Sequence, residues 1–111
     1  MKIYLVKKVG SETSEDLAAF MKKRNAKNYA DIDRAKQHAL SLAKDKLRES
    51  EEKWFKGNAG SKVDDAYLSK YDSFMDISTK KIAKEMSVKY NDLRWYQCGE
   101  IEIHEITVEY F

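Results

Sequence analysis

Apolar residues recur at helical spacing through the middle of this 111-residue chain, and no other feature narrows its possible folds as much. Ile32, Ala35, Ala39, Leu42, Ala43, Leu47 and Trp54 fall on one side, with Lys44, Asp45, Arg48, Glu49 and Glu52 on the other. Asp31 is a suitable cap and Gly57 a suitable terminator, so the spacing predicts an amphipathic helix from about Asp31 to Lys56. Such a helix holds its shape only if other elements cover its apolar stripe. From Val63 the pattern repeats through Tyr67, Tyr71, Phe74, Ile82, Met86, Tyr90 and Leu93. Asp76 and Ser78 offer the backbone competing side-chain hydrogen bonds, so a break is expected near residues 76–78.

The two ends of the chain read differently. Residues 2–9, KIYLVKKV, set Ile3, Leu5 and Val9 on one side and Tyr4 and Val6 on the other, the period of a strand that Gly10 ends. Residues 100–110 alternate in the same way, but Ile106, Val108 and Tyr110 are out of step with Ile101 and Ile103. A bulge or bend at His104 and Glu105 is therefore expected if all of them are buried. Between these ends, residues 14–25, SEDLAAFMKKRN, carry an N-cap serine, early acids and late bases, the signals of a helix. The competing reading is a strand at residues 17–22, hairpinned onto the first.

These elements predict an α+β domain: a small sheet containing the N- and C-terminal strands, covered on one face by two to four helices. No Gly/Pro/Ser-rich linker divides the chain, so residues 1–111 are read as a single domain. Residues 1–48 carry a charge of +6, residues 49–96 none and residues 97–111 a charge of −4. Pairing the end strands would bring Lys2, Lys7 and Lys8 near Glu100, Glu102, Glu105 and Glu109.

Several function classes lack their parts. The single Cys98 excludes a disulfide framework or multi-cysteine zinc site, and no apolar run approaches the roughly 20 residues that span a bilayer. Cytoplasmic residence without a membrane partner is the expectation. There is no P-loop, G-x-G-x-x-G turn, G-x-S-x-G elbow or H-E-x-x-H pair. Glu102 and His104 would share a strand face, but a zinc site needs three or four converging ligands. His38 reads as a filler at the core edge, and Cys98, followed by Glu100 and Glu102, lacks an electropositive setting. Asp64/Asp65 and Asp72/Asp76 read as acids on a solvated face. No catalytic residue, metal or cofactor is assigned, and the chain is read as a non-enzyme.

Two binding features remain. Lys22, Lys23, Arg24 and Lys27, with Arg34 and Lys36 beyond, could hold phosphates, so a weak nucleic-acid binder is the alternative reading. Eight of the thirteen aromatic residues lie between Trp54 and Tyr96. Phe55, Tyr67 and Phe74 are assigned to the core, and Trp54, Tyr71, Trp95 and Tyr96 to an exposed patch that would bind another protein or a second copy. The expected function is thus a protein–protein interaction module. A short, charged, proline-free chain of this kind also suits a small accessory protein of a phage or mobile element that inhibits a host defence protein.

Overall fold

In the computed structural model, which describes residues 1–109, the order of elements is β1 (Lys2–Val9), β2 (Ser14–Phe20), α1 (Lys23–Gly57), α2 (Asp65–Glu85), α3 (Tyr90–Arg94) and β3 (Glu100–Thr107). The α+β class is therefore present, with both terminal segments in one antiparallel sheet of order β2-β1-β3. Tyr110 lies outside the described residues. The chain groups into two units, one built from Met1–His38 with the segment from Gln97 onward, the other from Ala39–Tyr96, and α1 supplies residues to both.

In the first unit the central strand β1 is zipped on both sides. Val6 stands opposite Ala18 of β2 and Ile103 of β3, and Tyr4 opposite Phe20. Val6, Ile101, Ala26 and Ala30 form the buried cluster, with Tyr4, Leu17, Phe20, Tyr29 and Ile103 packed around it. Alanines at i, i+4 on α1 present little more than backbone to the sheet, which suits close approach. Arg34, one turn further on, donates to the Ile101 carbonyl at 3.0 Å.

Four local expectations are corrected here. Residues 14–20 are strand β2, not a helix, because the turn closed by Gly10 N–H to Thr13 O at 2.8 Å hands Ser14 directly to Val9. A short helix there would gain only a few intrahelical bonds, whereas the ladder to β1 pairs one side of the backbone and packs half-buried Phe20 and Leu17 against the Val6 cluster. Lys23 and Arg24 then open a helix instead of closing one, so α1 starts at Lys23 and not at Asp31, whose carboxylate accepts from Arg34 at 3.1 Å. The earlier start changes which side is buried. Ala26, Ala30, Leu40, Ala43 and Leu47 point inward, while Ile32 is 72% exposed and Leu42, Ala35 and His38 are exposed too.

Along β3 the register with β1 is unbroken from Lys2↔Thr107 to Val9↔Glu100, so no bulge occurs at His104–Glu105. The premise that every isoleucine is buried fails, since Ile106 is exposed. The irregularity lies between β1 and β2, where Val6 faces Ala18 but Lys7 faces Asp16, leaving Leu17 as the extra residue. Lys2 reaches Glu105 at 3.2 Å, an expected pairing of the chain ends that holds the Glu105 carboxyl below the usual range. Lys7 sits opposite Glu102 but pairs with Asp16 at 3.4 Å.

In the second unit Leu40, Ala43 and Leu47 of α1 meet Ile82 and Ala83 of α2 and Leu93 of α3. Helix α2 runs unbroken through residues 76–78, another correction. The Asp76 carboxylate is occupied by Lys80 and Tyr90 and does not compete for the backbone, and the Thr79 hydroxyl bonds to the Met75 carbonyl without breaking the helix. The stop comes later. Val88 N–H bonds to Ala83 O at 3.0 Å and Ser87 N–H to Lys84 O at 3.4 Å around Ser87 at φ 54°, the paired bonds of a Schellman ending. At the other end Asp64 caps α2 by accepting from Tyr67 N–H at 2.9 Å. Replacing Asp64 with Ala should cost about 1 kcal/mol in urea unfolding, and Asp64→Asn should keep most of it.

Candidate functional site

Trp54 is the hub of the largest aromatic group. Its ring meets Tyr67 at 5.1 Å, Tyr71 at 5.4 Å, Phe74 at 5.9 Å and Phe55 at 5.5 Å between centroids. Residues 67, 71 and 74 follow the i, i+4, i+7 rule, so α2 offers their rings in a row to a residue near the end of α1. The edge-to-face angles of 65° with Tyr67 and 61° with Tyr71 are those the ring quadrupoles favour. Phe55 lies stacked on Tyr71 at 5.4 Å and 21°. Burial and the neighbouring Glu51 push the Tyr71 hydroxyl above its ordinary pKa.

This group is only partly sealed. Trp54, Tyr67, Tyr71 and Phe74 are half-buried and Phe55 is 42% exposed. The core position expected for Phe55 is thereby corrected: consecutive helical positions point about 100° apart, so Phe55 cannot follow Trp54 inward. The same geometry makes it the residue of this surface that sequence reasoning missed. Of the four patch candidates, Trp54 and Tyr71 come together. Trp95, at the end of α3, is 72% exposed with the Arg94 guanidinium 5.2 Å from its ring, while Tyr96 packs against the Leu93 cluster.

A second feature of the same unit is a groove of about 560 Å³ lined by Lys44, Leu47, Asp72, Asp76, Tyr90 and Arg94 among others. The Tyr90 hydroxyl donates to Asp76 Oδ1 at 2.5 Å and accepts from Arg94 Nη1 at 2.8 Å, and Lys80 Nζ lies 2.9 Å from Asp76 Oδ2. The Tyr90 hydrogen bond, then that of Lys80, holds the Asp76 carboxyl below its usual range. Tyr90, Asp76, Arg94 and Lys80 are thus partnered with one another, and the network ties α3 to α2.

The basic candidates are distributed along α1 and just ahead of it. Lys22, Lys23, Arg24 and Lys27 are exposed around its first turn, which contains no acid. Arg34 is engaged by Asp31 and Ile101, and Lys36 is exposed further along. His104 lies 3.3 Å from Glu102, on the shared face the alternation implied. Among the described residues no group of three or more His, Cys, Asp or Glu converges, Cys98 is exposed, and no helix is long and apolar enough to cross a membrane. No protein-family model, curated protein or solved structure matches the chain.

Proposed function

We propose that this chain is a non-enzymatic interaction module that binds another protein through the ring surface of Trp54, Phe55 and Tyr71. The observation carrying this reading is that Phe55 stays 42% exposed while stacked on Tyr71, beside a half-buried Trp54. Rings held in place by other rings lose little freedom on binding, and aromatic residues dominate the energetics of protein interfaces. The partner would insert an apolar side chain against Phe55 and Tyr71. The narrower reading, an accessory protein of a phage or mobile element that blocks a host defence protein, rests on composition and adds no residue to the surface.

Phe55→Ala is the informative variant. Captured from the source cell, the partner should bind this variant more weakly by about 2 kcal/mol, the scale of an interface hot spot, while thermal stability changes little. Unchanged binding by a folded Phe55→Ala chain rejects the ring surface. Salt-sensitive binding to DNA or RNA that reversing Lys22, Lys23, Arg24 and Lys27 abolishes would replace this reading with the nucleic-acid one.

A further inference from the structure

The apolar surface around Phe55 continues past the stacked rings and ends on two carboxylates. Leu68, Tyr71 and Asp72 stand at i, i+3 and i+4 on α2 and so share a face, as Glu51 and Phe55 do at i, i+4 on α1. The stack of Phe55 on Tyr71 at 5.4 Å joins the two faces into one surface, and all five residues belong to the unit Ala39–Tyr96. Leu68 is exposed like Phe55, which widens the apolar part. Burial, then Glu51 and Asp72, raise the pKa of the Tyr71 hydroxyl, so both carboxylates act at the edge of its ring. Among the described residues no ion pair forms on either of them. Arg48 turns to Asp45 at 3.9 Å, and Lys44 lines the same groove as Asp72 without pairing with it. Lys53 lies two positions from both Glu51 and Phe55, and Lys70 two from both Leu68 and Asp72, about 200° around their helices and so on the other side.

We propose that the occupant of this surface is a basic, apolar segment of the partner protein, whose apolar side chain packs on Phe55, Leu68 and Tyr71 while an arginine or lysine beside it pairs with Glu51 and Asp72. This rests on the ring surface proposed above and specifies the charge of what binds there. An acidic segment would bring like charges together, and a purely apolar one would strip water from two carboxylates and give them no partner. The rings favour the same sign, since a guanidinium or ammonium is drawn to the face of an aromatic ring. Charges at the edge of an interface act chiefly on encounter and on partner choice, so Glu51 and Asp72 set specificity while the rings supply affinity.

Three acetylated and amidated hexapeptides, each with a central Leu-Phe pair flanked on both sides by arginine, glutamine or glutamate, test it on the full chain. Binding is read from the ring NMR signals of Phe55 and Tyr71. At low salt the arginine peptide should bind about fivefold more tightly than the glutamine peptide, the scale of two exposed ion pairs, and the glutamate peptide most weakly. Glu51→Gln with Asp72→Asn should leave the glutamine peptide unchanged and bring the arginine peptide within about twofold of it, with an unchanged circular dichroism spectrum. In about 1 M salt the unmodified chain should lose the preference too, a result that needs no variant. A preference for arginine that survives in the double variant overturns the proposal, as does the lack of a saturable shift at about 5 mM peptide, where a millimolar site is mostly filled. Equal binding of all three peptides, lost with Phe55→Ala, overturns it while leaving the ring surface standing. Self-association of the chain that Phe55→Ala abolishes gives the surface to a second copy and overturns it as well. A captured partner indifferent to Phe55→Ala removes the ring surface itself, and the proposal with it.

Discussion

Leu93→Ala should lower stability by about 3 kcal/mol, within the range for a fully buried leucine, and Tm by roughly 10–15 °C. Leu93 is 0% exposed and is the residue by which α3 enters the cluster of Leu40, Ala43, Leu47, Ile82 and Ala83. Five residues are far too few to hold a helix by local bonds, so α3 persists only because Leu93 is buried and Tyr90 is tied to Asp76. The loss should therefore exceed that of the cavity in a longer helix, where the backbone is held elsewhere. Urea unfolding with matched m-values measures it, and a loss below about 1 kcal/mol would show that α3 does not anchor the cluster.

Trp54→Ala should be nearly as damaging, at about 3 kcal/mol, the lower end for a large aromatic because its ring is half-buried and not sealed. Four rings lean on it, and removing it strips Tyr67, Tyr71 and Phe74 of their common contact with α1. Trp54→Phe should recover more than half of the loss, since the smaller ring keeps part of the edge-to-face packing. A fully stable Trp54→Ala chain would mean that the rings are surface ornament with no role in joining the helices. The stability cost is the reason Phe55, and not Trp54, is the clean probe of binding. A partner lost with Trp54→Ala could simply reflect a disordered surface.

Much of the architecture was legible in the amino-acid order. Alternation marked β1 and β3 as strands, and two opposite end charges anticipated the contact of Lys2 with Glu105. The ring spacing on α2 was present as a local pattern, and the aromatic crowding singled out Trp54 and Tyr71, which do touch. Asp64, read as a solvated acid, is instead the cap of α2. The strand and ring patterns succeeded because a period acts on residues a few positions away, and the end charges because both terminal strands were already marked for one sheet.

What only the tertiary structure decided is everything that depends on which of two local options finds a partner. Residues 14–20 satisfy the rules for a helix start and for a strand, and the choice falls to β1, which offers a ladder and a place for Phe20. Once that segment is a strand, Lys22 and Lys23 turn from the end of one helix into the approach to another, and α1 lengthens to take in Ala26 and Ala30. Its buried side shifts accordingly, so Ile32 and Leu42, apolar and correctly spaced, face solvent while two alanines are covered. Periodicity specifies that a helix has an apolar side. Which of two overlapping stripes becomes that side depends on the free energy of burial against a surface assembled from distant parts of the chain.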